Sequence, residues 1–337
     1  MGGEEEQYSS IPALHYARSV VMLAMAKTND ETPVIRDLRE IAGLKISVAE
    51  PLARYTSMKI GGPADYFIEA QTGAALAGLL PFLGAHHIAF YLLGNGSNVL
   101  ISDLGVRGAV IRLAGEFKKI DWREQGENVW GDVGAAFAVT QLARAATRQG
   151  YTGLEFAEGI PGSVGGALVM NAGAFGSEFE KIVERVEAVT QAGQAVQFSR
   201  GEMTFSYRDS HLPAGIVVTR VRLRLRKEEA TQVSSKLREL VGKRKSSQPS
   251  GFPNSGSMFR NPAGDFAGRL IEAAGLKGKR IGQAQISERH ANFIVNLGGA
   301  KARDVRRLME LAESEVRKRF GVDLVAEVKF LGEWPTH

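Results

Sequence analysis

Gly-Ile-Pro-Gly-Ser-Val-Gly-Gly-Ala occupies residues 159–167, and Asn-Ala-Gly-Ala-Phe-Gly follows closely at residues 171–176. Glycine has no side chain, so the main-chain N–H groups of such a segment can contact a bulky anion directly. A single tight turn needs only a pair of glycines, whereas six fall between residues 159 and 176. A second glycine-rich turn, Gly-Asn-Gly-Ser-Asn, lies upstream at residues 94–98. We therefore expect two walls of one phosphate cradle, suited to the diphosphate of a dinucleotide.

The composition is that of a globular enzyme. Of the 337 residues, 44% are hydrophobic and 23% are charged, and this length predicts two or three domains. The chain has no cysteine, which excludes disulfides, zinc ribbons, thiol nucleophiles and a cofactor linked through cysteine. We expect no metal site. The formal net charge of +5, from 42 Lys and Arg against 37 Asp and Glu, suits an acidic small-molecule substrate.

Neither a nucleic-acid partner nor a membrane is expected. Arginines stand at every second position from 220 to 226, which predicts a strand with Val221, Leu223 and Leu225 inward and four guanidinium groups in water. The acidic opening of the chain is not that of a secretory signal, and the apolar patch at residues 20–26 is too short to span a bilayer. We expect a cytoplasmic protein. The sequence does not fix its oligomeric state, and a monomer is favoured.

Local patterns predict a mixed helix and strand protein whose folded part begins near Pro51. Residues 1–45 are interpreted as a partly helical extension. The glycine turn at residues 94–98 lies between two strands, whereas a Rossmann phosphate loop would lead into a helix. Pro81 should end or kink its helix. The predicted helices are 72–85, 136–149, 231–245, 267–274 and 301–320, and the main predicted strands are 66–70, 88–93, 99–102, 106–113, 129–133, 183–190, 195–198, 281–286, 293–297 and 323–331.

Seven separated motifs resemble one family in its own order. The chain reads Tyr-Thr-x-x-Lys-x-Gly-Gly-Pro-Ala-Asp at 55–65, Leu-Gly-Asn-Gly-Ser-Asn-Val-Leu at 93–100 and Gly-Ile-Pro-Gly-Ser-Val-Gly-Gly at 159–166. Ser-Tyr-Arg-Asp-Ser at 206–210, Gly-Ser-Met-Phe-Arg-Asn-Pro at 256–262, His-Ala-Asn-Phe-Ile-Val-Asn at 290–296 and Glu-Val-Lys-Phe-Leu-Gly at 327–332 complete the set. The motifs resemble the UDP-N-acetylenolpyruvoylglucosamine reductases, also called UDP-N-acetylmuramate dehydrogenases, flavoenzymes of bacterial peptidoglycan synthesis, over roughly residues 50–332.

The resemblance implies an α+β fold with a two-part FAD-binding unit of the vanillyl-alcohol-oxidase type and a smaller α+β substrate-binding domain. The implied divisions are 1–45 (extension), 46–114 and 115–228 (FAD-binding subdomains), 229–320 (substrate-binding domain) and 321–337 (a C-terminal strand returning to the active site). FAD would be bound without a covalent link. The residues expected to contact it are Thr56, Gly61, Gly62, Gly94, Asn95, Gly96, Ser97, Asn98, Gly159, Ile160, Pro161, Gly162, Ser163, Gly165, Gly166, Asn171 and Ala172.

The resemblance also implies the reaction and three catalytic residues. In this family NADPH reduces FAD, and hydride then passes from the flavin to the vinyl carbon of an enolpyruvyl ether of a UDP-sugar. By motif match, Arg208 would bind the carboxylate on which negative charge develops, and Glu327, on the last strand, would assist. Ser257 would donate a proton to the ether carbon. The family uses serine or cysteine at this position, so the chain falls in the serine group.

Three further residues match substrate contacts of the family. Tyr207 precedes the catalytic arginine, and Lys245 and Asn261 match positions that contact the diphosphate and the sugar. Lys245 follows Lys243 and Arg244, so the register is open and either neighbour could take its role. The segment between Arg208 and Ser257 lacks the inserted loop, with a substrate-gripping tyrosine, of longer family members. The way the pocket closes is therefore not predicted.

Two other functions are compatible with parts of the pattern. A different FAD-dependent oxidase or dehydrogenase of the same fold would take hydride from a small hydroxy acid or alcohol. A catalytically silent sensor of nucleotide sugars would keep the glycine cradle and need neither Ser257 nor Glu327. Oxidation of NADPH in the presence of the enolpyruvyl nucleotide separates these functions from the reductase.

Overall fold

A computed structural model describes residues 32–335 as three packed units. In the first unit, a four-stranded sheet has the order β1-β2-β5-β3, with β1 antiparallel to β2 and with β2 and β3 parallel to β5. Residues on both faces of β2 and β5 are buried, and Ile68 and Ile111 lie in the main core. Its elements are α1 (Pro33–Arg39), β1 (Leu44–Pro51), β2 (Pro63–Ala70), α2 (Gly73–Ala85), β3 (Phe90–Leu92), β4 (Val99–Ile101) and β5 (Val106–Leu113).

The second unit is built on a larger antiparallel sheet of order β12-β11-β13-β7-β6, with β8 added along β13. The antiparallel hairpin of residues 183–199 and the long strand Val217–Lys227 lie where the sequence patterns predict strands. Its elements are β6 (Ile120–Gln125), β7 (Asn128–Gly134), α3 (Val139–Arg148), β8 (Tyr151–Thr152), α4 (Val164–Val169), β9 (Gly173–Ala174), β10 (Ser177–Glu178), β11 (Val183–Val189), β12 (Ala195–Ser199), β13 (Val217–Lys227) and α5 (Ala230–Ser247).

The third unit packs two helices on a small antiparallel sheet of order β14-β17-β16-β15. The amphipathic α7 ends at Gly321, whose φ of 68° is left-handed, and buries Val305, Leu308 and Val316. Its elements are β14 (Asn254–Ser257), α6 (Ala267–Ala273), β15 (Arg280–Ile281), β16 (Ala284–Ile286), β17 (Phe293–Asn296), α7 (Ala302–Phe320) and β18 (Lys329–Leu331). Within residues 32–335, no helix combines the length and the apolar character needed to cross a bilayer.

The third unit is joined firmly to the first. Strand β18 leaves its own unit and pairs in parallel with β4, so that Lys329 stands opposite Val99. Met58, Ile60 and Leu100 of the first unit lie in the hydrophobic core of the third. The amide of Asn296 also donates to the Met58 carbonyl at 2.9 Å. These contacts hold the two units in one fixed arrangement.

A carboxylate from the first unit caps the longest helix of the third. The two oxygens of Asp103 accept from the N–H groups of Ala302 (2.9 Å) and Arg303 (3.1 Å), at the N-terminus of α7. These N–H groups have no partner inside a helix, and a negative charge there is favoured by the helix dipole. Asp103 thus fixes the start of α7 to the loop after β4.

One expectation about the first unit is wrong, and one of the two outcomes expected for Pro81 does not occur. The folded part begins before Pro51, because β1 starts at Leu44 and α1 adds the buried Leu38 to the main core. The rest of the proposed extension, residues 1–31, lies outside the described residues. Pro81 lies inside α2 rather than ending it. The helix loses one backbone hydrogen bond there, but five of its side chains are buried, and such packing outweighs local propensity.

Two later expectations also need correction. The last strand is short, so Glu327 precedes β18 and is not part of it. The guanidinium groups of β13 are not all in water, because Arg222 donates twice to the buried Asp132, both at 2.7 Å. Helix α5 packs against α3 of the second unit. The division predicted between residues 228 and 229, which places α5 in the substrate-binding domain, stays a prediction.

We predict that Asp103→Ala lowers the free energy of unfolding by about 1 kcal/mol, because two N–H groups of α7 lose their acceptor and the helix dipole loses a favourable charge. Urea denaturation followed by circular dichroism measures the loss. Asp323→Ala is the matched control, since Asp323 lies near the other end of α7 in an exposed ion pair with Arg317, and it should change stability by less than about 0.5 kcal/mol. Equal losses in both variants would contradict the anchoring role.

Candidate active site

One large cavity opens where the three units meet. Its volume is about 1140 Å³, slightly above the usual range for pockets that hold small ligands or cofactors. The glycine turn at 94–98 comes from the first unit, the turn at 159–166 from the second, and residues 252–257 from the third. The structure therefore brings the two predicted glycine turns together in one wall.

The two turns contact each other directly. The hydroxyl of Ser97 donates to the Pro161 carbonyl at 3.0 Å. Gly96 has a φ of 61°, and a Cβ at this position would lie 2.2 Å from the Tyr55 carbonyl oxygen, so only glycine fits. Within the described chain, the N–H groups of residues 94–98 have no hydrogen-bond acceptor. They are available to a ligand, and phosphate oxygens are the acceptors for which such a row of amides is suited.

A cation lies beside the second turn. The side chain of Arg244, on α5, packs on Gly159, where an added Cβ would be 2.7 Å from the arginine Cδ. Burial lowers the pKa of the Arg244 guanidinium, and the nearby Glu158 partly opposes this shift. Glu158 itself is paired with Arg144 at 2.6 Å. Arg244 donates from Nε to Gln248 at 3.0 Å and lines the cavity with its charge available to an anion.

Most of the predicted coenzyme contacts line this cavity. The wall contains Gly94, Asn95, Gly96, Ser97, Asn98, Gly159, Ile160, Pro161, Gly162, Ser163, Gly165, Gly166 and Ala172. A cradle with free amides on the turn at 94–98 and a cation beside the turn at 159–166 has the chemistry that a dinucleotide diphosphate requires. The residues present therefore fit FAD.

Four predicted coenzyme contacts lie behind the wall instead. The hydroxyl of Thr56 donates to the Ile60 carbonyl at 2.9 Å and accepts from the Ile60 N–H at 3.1 Å, and Thr56 is buried. Gly61 and Gly62 pack against the segment at residues 101–105. Asn171 is buried and bonded to backbone at both ends of its amide. These residues shape the cradle, and no contact between them and a bound coenzyme is indicated.

The three predicted catalytic residues converge at one end of the cavity. Arg208 donates from Nε to Oε1 of Glu327 at 2.9 Å, across 119 residues of sequence. The Glu327 N–H donates to the Met258 carbonyl at 2.8 Å, which brings the residue after Ser257 against the glutamate. All three side chains line the cavity. Arg208 and Glu327 are mostly buried, with 23% and 13% of their side chains exposed.

The pKa of Glu327 is raised, chiefly because burial disfavours its charged form. The positive charge of Arg208, and those of Arg260 and Lys329, oppose the shift without cancelling it. Glu327 thus holds a proton at higher pH than an exposed glutamate does. A carboxylic acid of this kind can either accept hydrogen bonds or donate one.

The predicted substrate contacts are less clearly placed. Tyr207 is half exposed, lies under the guanidinium of its neighbour Arg208 at 5.0 Å, and is not in the cavity wall. The side-chain oxygen of Asn261 accepts from the Ala267 N–H at 3.1 Å, at the start of α6. Lys243 pairs with Glu239 at the surface. The side chain of Lys245 lies outside the described part of the chain, so that prediction stays open.

Several residues of the cavity wall are not among the predicted site residues, although one of them, Lys329, stands in the motif at 327–332. Arg112 lies on β5 and contacts the ring of Tyr55 at 5.4 Å, while Lys118 and Lys329 add two more positive charges. Phe252 is half exposed in the loop before β14. Isolated basic and aromatic residues are common on surfaces, and only the tertiary fold brings these four to one cavity.

Comparison with known proteins agrees with this architecture. The FAD binding domain family matches residues 64–199, and the C-terminal domain family of UDP-N-acetylenolpyruvoylglucosamine reductase matches residues 248–331. UDP-N-acetylenolpyruvoylglucosamine reductase 2 of Symbiobacterium thermophilum is 47% identical over 292 residues, which are 86% of this chain and 94% of that protein. The Bacillus subtilis reductase is 39% identical over 302 residues, 89% of this chain and 98% of that protein.

A solved structure gives the same result. The crystal structure of UDP-N-acetylenolpyruvylglucosamine reductase from Thermus caldophilus matches with a TM-score of 0.74 and 39% identity, covering 86% of this chain and 98% of that one. The predicted fold class, a two-part FAD-binding unit followed by a smaller α+β domain, is confirmed. FAD as cofactor and a flavin-dependent oxidoreductase as the kind of enzyme are confirmed as well. The chain belongs to the UDP-N-acetylenolpyruvoylglucosamine reductase family.

Proposed function

We propose that the protein uses NADPH to reduce UDP-N-acetylglucosamine enolpyruvate to UDP-N-acetylmuramate, a step of peptidoglycan precursor synthesis. The observation that carries the proposal is the meeting of Arg208, Glu327 and Ser257 at one end of a cavity whose wall contains both glycine turns. Bound FAD, once reduced by NADPH, would supply the hydride that is added to the substrate's double bond. We also propose a cytoplasmic location, where nucleotide-sugar precursors are made.

The glycine turns and Arg244 would hold the diphosphates. The free amides of residues 94–98 suit the coenzyme diphosphate, since their donors are fixed before the ligand arrives. Arg244 lines the cavity and Lys243 is engaged by Glu239 at the surface. Of these two, Arg244 is therefore the better candidate for a phosphate contact. Its buried guanidinium gains more from an anion than an exposed lysine does.

Arg208 and Glu327 would act on the carboxylate of the substrate. Hydride addition to the vinyl carbon moves negative charge onto this carboxylate, and a guanidinium placed in advance stabilises that charge. The fork of Arg208 has further donors besides the Nε that bonds Glu327. A substrate carboxylate beside Glu327 would raise the pKa of Glu327 further, because two anions at close range repel. Protonated Glu327 would then donate a hydrogen bond to the developing enolate.

Ser257 would supply the proton to the ether carbon. Its position at the end of β14, opposite Phe293 on β17, fixes its backbone. The next residues are held by Asn292, whose amide accepts from the Phe259 N–H at 2.9 Å and donates to the Phe259 carbonyl at 2.8 Å. Serine is a weak acid, but it can protonate a strongly basic carbanion that is held against it.

The reaction itself is tested in two halves under anaerobic conditions. We expect NADPH to bleach the flavin absorbance of the holoenzyme, and addition of the enolpyruvyl nucleotide to restore it with formation of UDP-N-acetylmuramate. A small hydroxy acid or alcohol, tested in place of NADPH, should leave the flavin oxidised. If the reduced enzyme ignores the enolpyruvyl nucleotide, or a hydroxy acid reduces the flavin instead, the proposal is wrong.

Ser257→Ala should separate the two halves. We expect flavin reduction by NADPH to stay within about twofold of the parent enzyme, because this step needs no proton from Ser257. Reoxidation by the enolpyruvyl nucleotide should slow by at least about 10³-fold, in line with loss of a positioned general acid. Stopped-flow absorbance measures both rates. Equal slowing of both halves would remove Ser257 from the role of proton donor.

Glu327 should take up a proton when a carboxylate ligand binds. The pKa of Glu327 is already raised by burial, and the ligand's charge raises it again. Binding to the oxidised holoenzyme should therefore consume protons at a pH between the pKa of Glu327 in the free protein and its pKa in the complex. Calorimetry in buffers of different ionisation enthalpy counts these protons, with UDP-N-acetylmuramate as the ligand. UDP-N-acetylglucosamine, which lacks the carboxylate, and the variant Glu327→Gln should both show no uptake. Uptake that persists in Glu327→Gln would assign the proton to another group.

A further inference from the structure

Asn171 lies directly behind the cavity wall, between two residues that form it. Met170 and Ala172 line the cavity, whereas Asn171 is only 1% exposed. Its φ of 38° is left-handed, a conformation that asparagine tolerates better than most residues. The side chain therefore points into the protein, where each end of its amide has a partner.

The amide of Asn171 joins two loops of the second unit. Its Nδ2 donates to the Ser206 carbonyl at 3.2 Å, and its Oδ1 accepts from the Glu180 N–H at 3.0 Å. Ser206 opens a tight turn that closes on Asp209, with N–H to carbonyl distances of 2.9 and 3.2 Å. Arg208 stands inside this turn. Asn171 thus bonds a residue that lies two positions before Arg208, the arginine that faces Glu327.

The turn holds Arg208 in an unfavourable backbone conformation. The φ of Arg208 is 62°, and a non-glycine residue in this region costs on the order of 1 kcal/mol or more. Such a conformation persists only where surrounding bonds impose it. The Ser206 carbonyl is held by Asn171, and the Ser210 N–H, just after the turn, donates to the Val169 carbonyl at 3.2 Å. A third bond from outside is that of the Arg208 side chain to Glu327.

We propose that Asn171 is a positioning residue, which holds the 206–209 turn so that the guanidinium of Arg208 faces the cavity. The inference rests on the proposed role of Arg208 as the site of the substrate carboxylate. Asn171 then acts on substrate binding and on the second half of the reaction through Arg208. It does not touch the coenzyme, although it lies in the same glycine-rich motif as residues that do line the cradle.

Two substitutions distinguish the role of the Asn171 side-chain amide from that of the left-handed backbone conformation at residue 171. Glycine adopts a φ of 38° without strain, so Asn171→Gly removes both hydrogen bonds and leaves the left-handed conformation accessible. Asn171→Asp keeps an acceptor for the Glu180 N–H but turns a second oxygen toward the Ser206 carbonyl. If the bond to Ser206 matters, the aspartate variant should be impaired to the same degree as the glycine variant, or more.

The first measurement compares two ligands of the FAD-loaded protein by calorimetry. UDP-N-acetylmuramate carries the carboxylate that Arg208 would bind, and UDP-N-acetylglucosamine does not. In Asn171→Gly we expect the affinity for the first ligand to fall about tenfold or more, the loss of a well-aligned charged hydrogen bond, while that for the second changes less than about twofold. The affinity of the apoprotein for FAD, measured by fluorescence quenching, should also stay within about twofold of the parent.

The second measurement uses the half-reactions, with a control for lost stability. In Asn171→Gly the reoxidation of the flavin by the enolpyruvyl nucleotide should slow about 10–100-fold, as expected for a misplaced contact group, with normal reduction by NADPH. Tyr151→Phe is the control, because it removes the hydroxyl that bonds Glu124 from a buried tyrosine outside the cavity wall. We expect it to lower the melting temperature and to leave both half-reactions unchanged.

The variant Arg208→Lys keeps the two hypotheses apart. A lysine cannot reproduce the fork of an arginine, so this variant should lose the preference for the carboxylate ligand. If it keeps that preference, the proposed role of Arg208 fails. If Arg208→Lys loses the preference and Asn171→Gly keeps it, only the positioning role is overturned. Equal weakening of both ligands, or weaker FAD binding, in Asn171→Gly would also overturn it.

Discussion

The active site depends on a short return of the chain end to the first glycine turn. Lys329 donates its N–H to the Asn98 carbonyl at 3.0 Å, and the Asn98 amide donates to the Glu327 carbonyl at 3.2 Å. The Glu327 N–H in turn bonds the Met258 carbonyl. Each such bond contributes only about 1 kcal/mol to stability. Together they join three segments that are far apart in sequence, so that the cradle, the proton donor and the glutamate have one relative geometry.

The charges of the molecule show which ion pairs are structural and which leave room for a ligand. Asp132 is buried, receives two bonds from Arg222, and has Arg123 and Arg185 nearby, so that its pKa is lowered. The residues of that cluster are not part of the cavity wall. The pair of Arg208 and Glu327 differs, because it lines a cavity and uses only one donor of the arginine. Burial raises the pKa of this acid, although the arginine opposes the shift. A perturbed pKa marks a reactive site only when open space and spare donors accompany it.

Local patterns predicted the parts of the fold that local forces decide. Polar and apolar residues alternate along β13, and the apolar residues of α7 lie on one side of the helix. Burial of one face explains both patterns, and both elements lie where the sequence predicts them. The strand predicted from 323 to 331 shrinks to β18 because only three residues find a partner in β4. Pro81 does not end α2, since the packing of the helix outweighs the lost backbone hydrogen bond.

The sequence predicted the site as a set of motifs. In the fold, some residues of a motif line the cavity and others lie behind its wall and support it. No periodicity could reveal that Thr56 bonds Ile60, or that the cavity receives Arg244 while Lys243 pairs with Glu239. A residue beside a glycine turn can face the cavity or the core, and its immediate neighbour in sequence can face the other way. Gly159 illustrates both roles, because it exposes a turn to the ligand and leaves the space in which Arg244 lies. A side chain at residue 159 would collide with Arg244 as well as crowd the coenzyme. A glycine of such a motif can therefore be essential for ligand binding without touching the ligand.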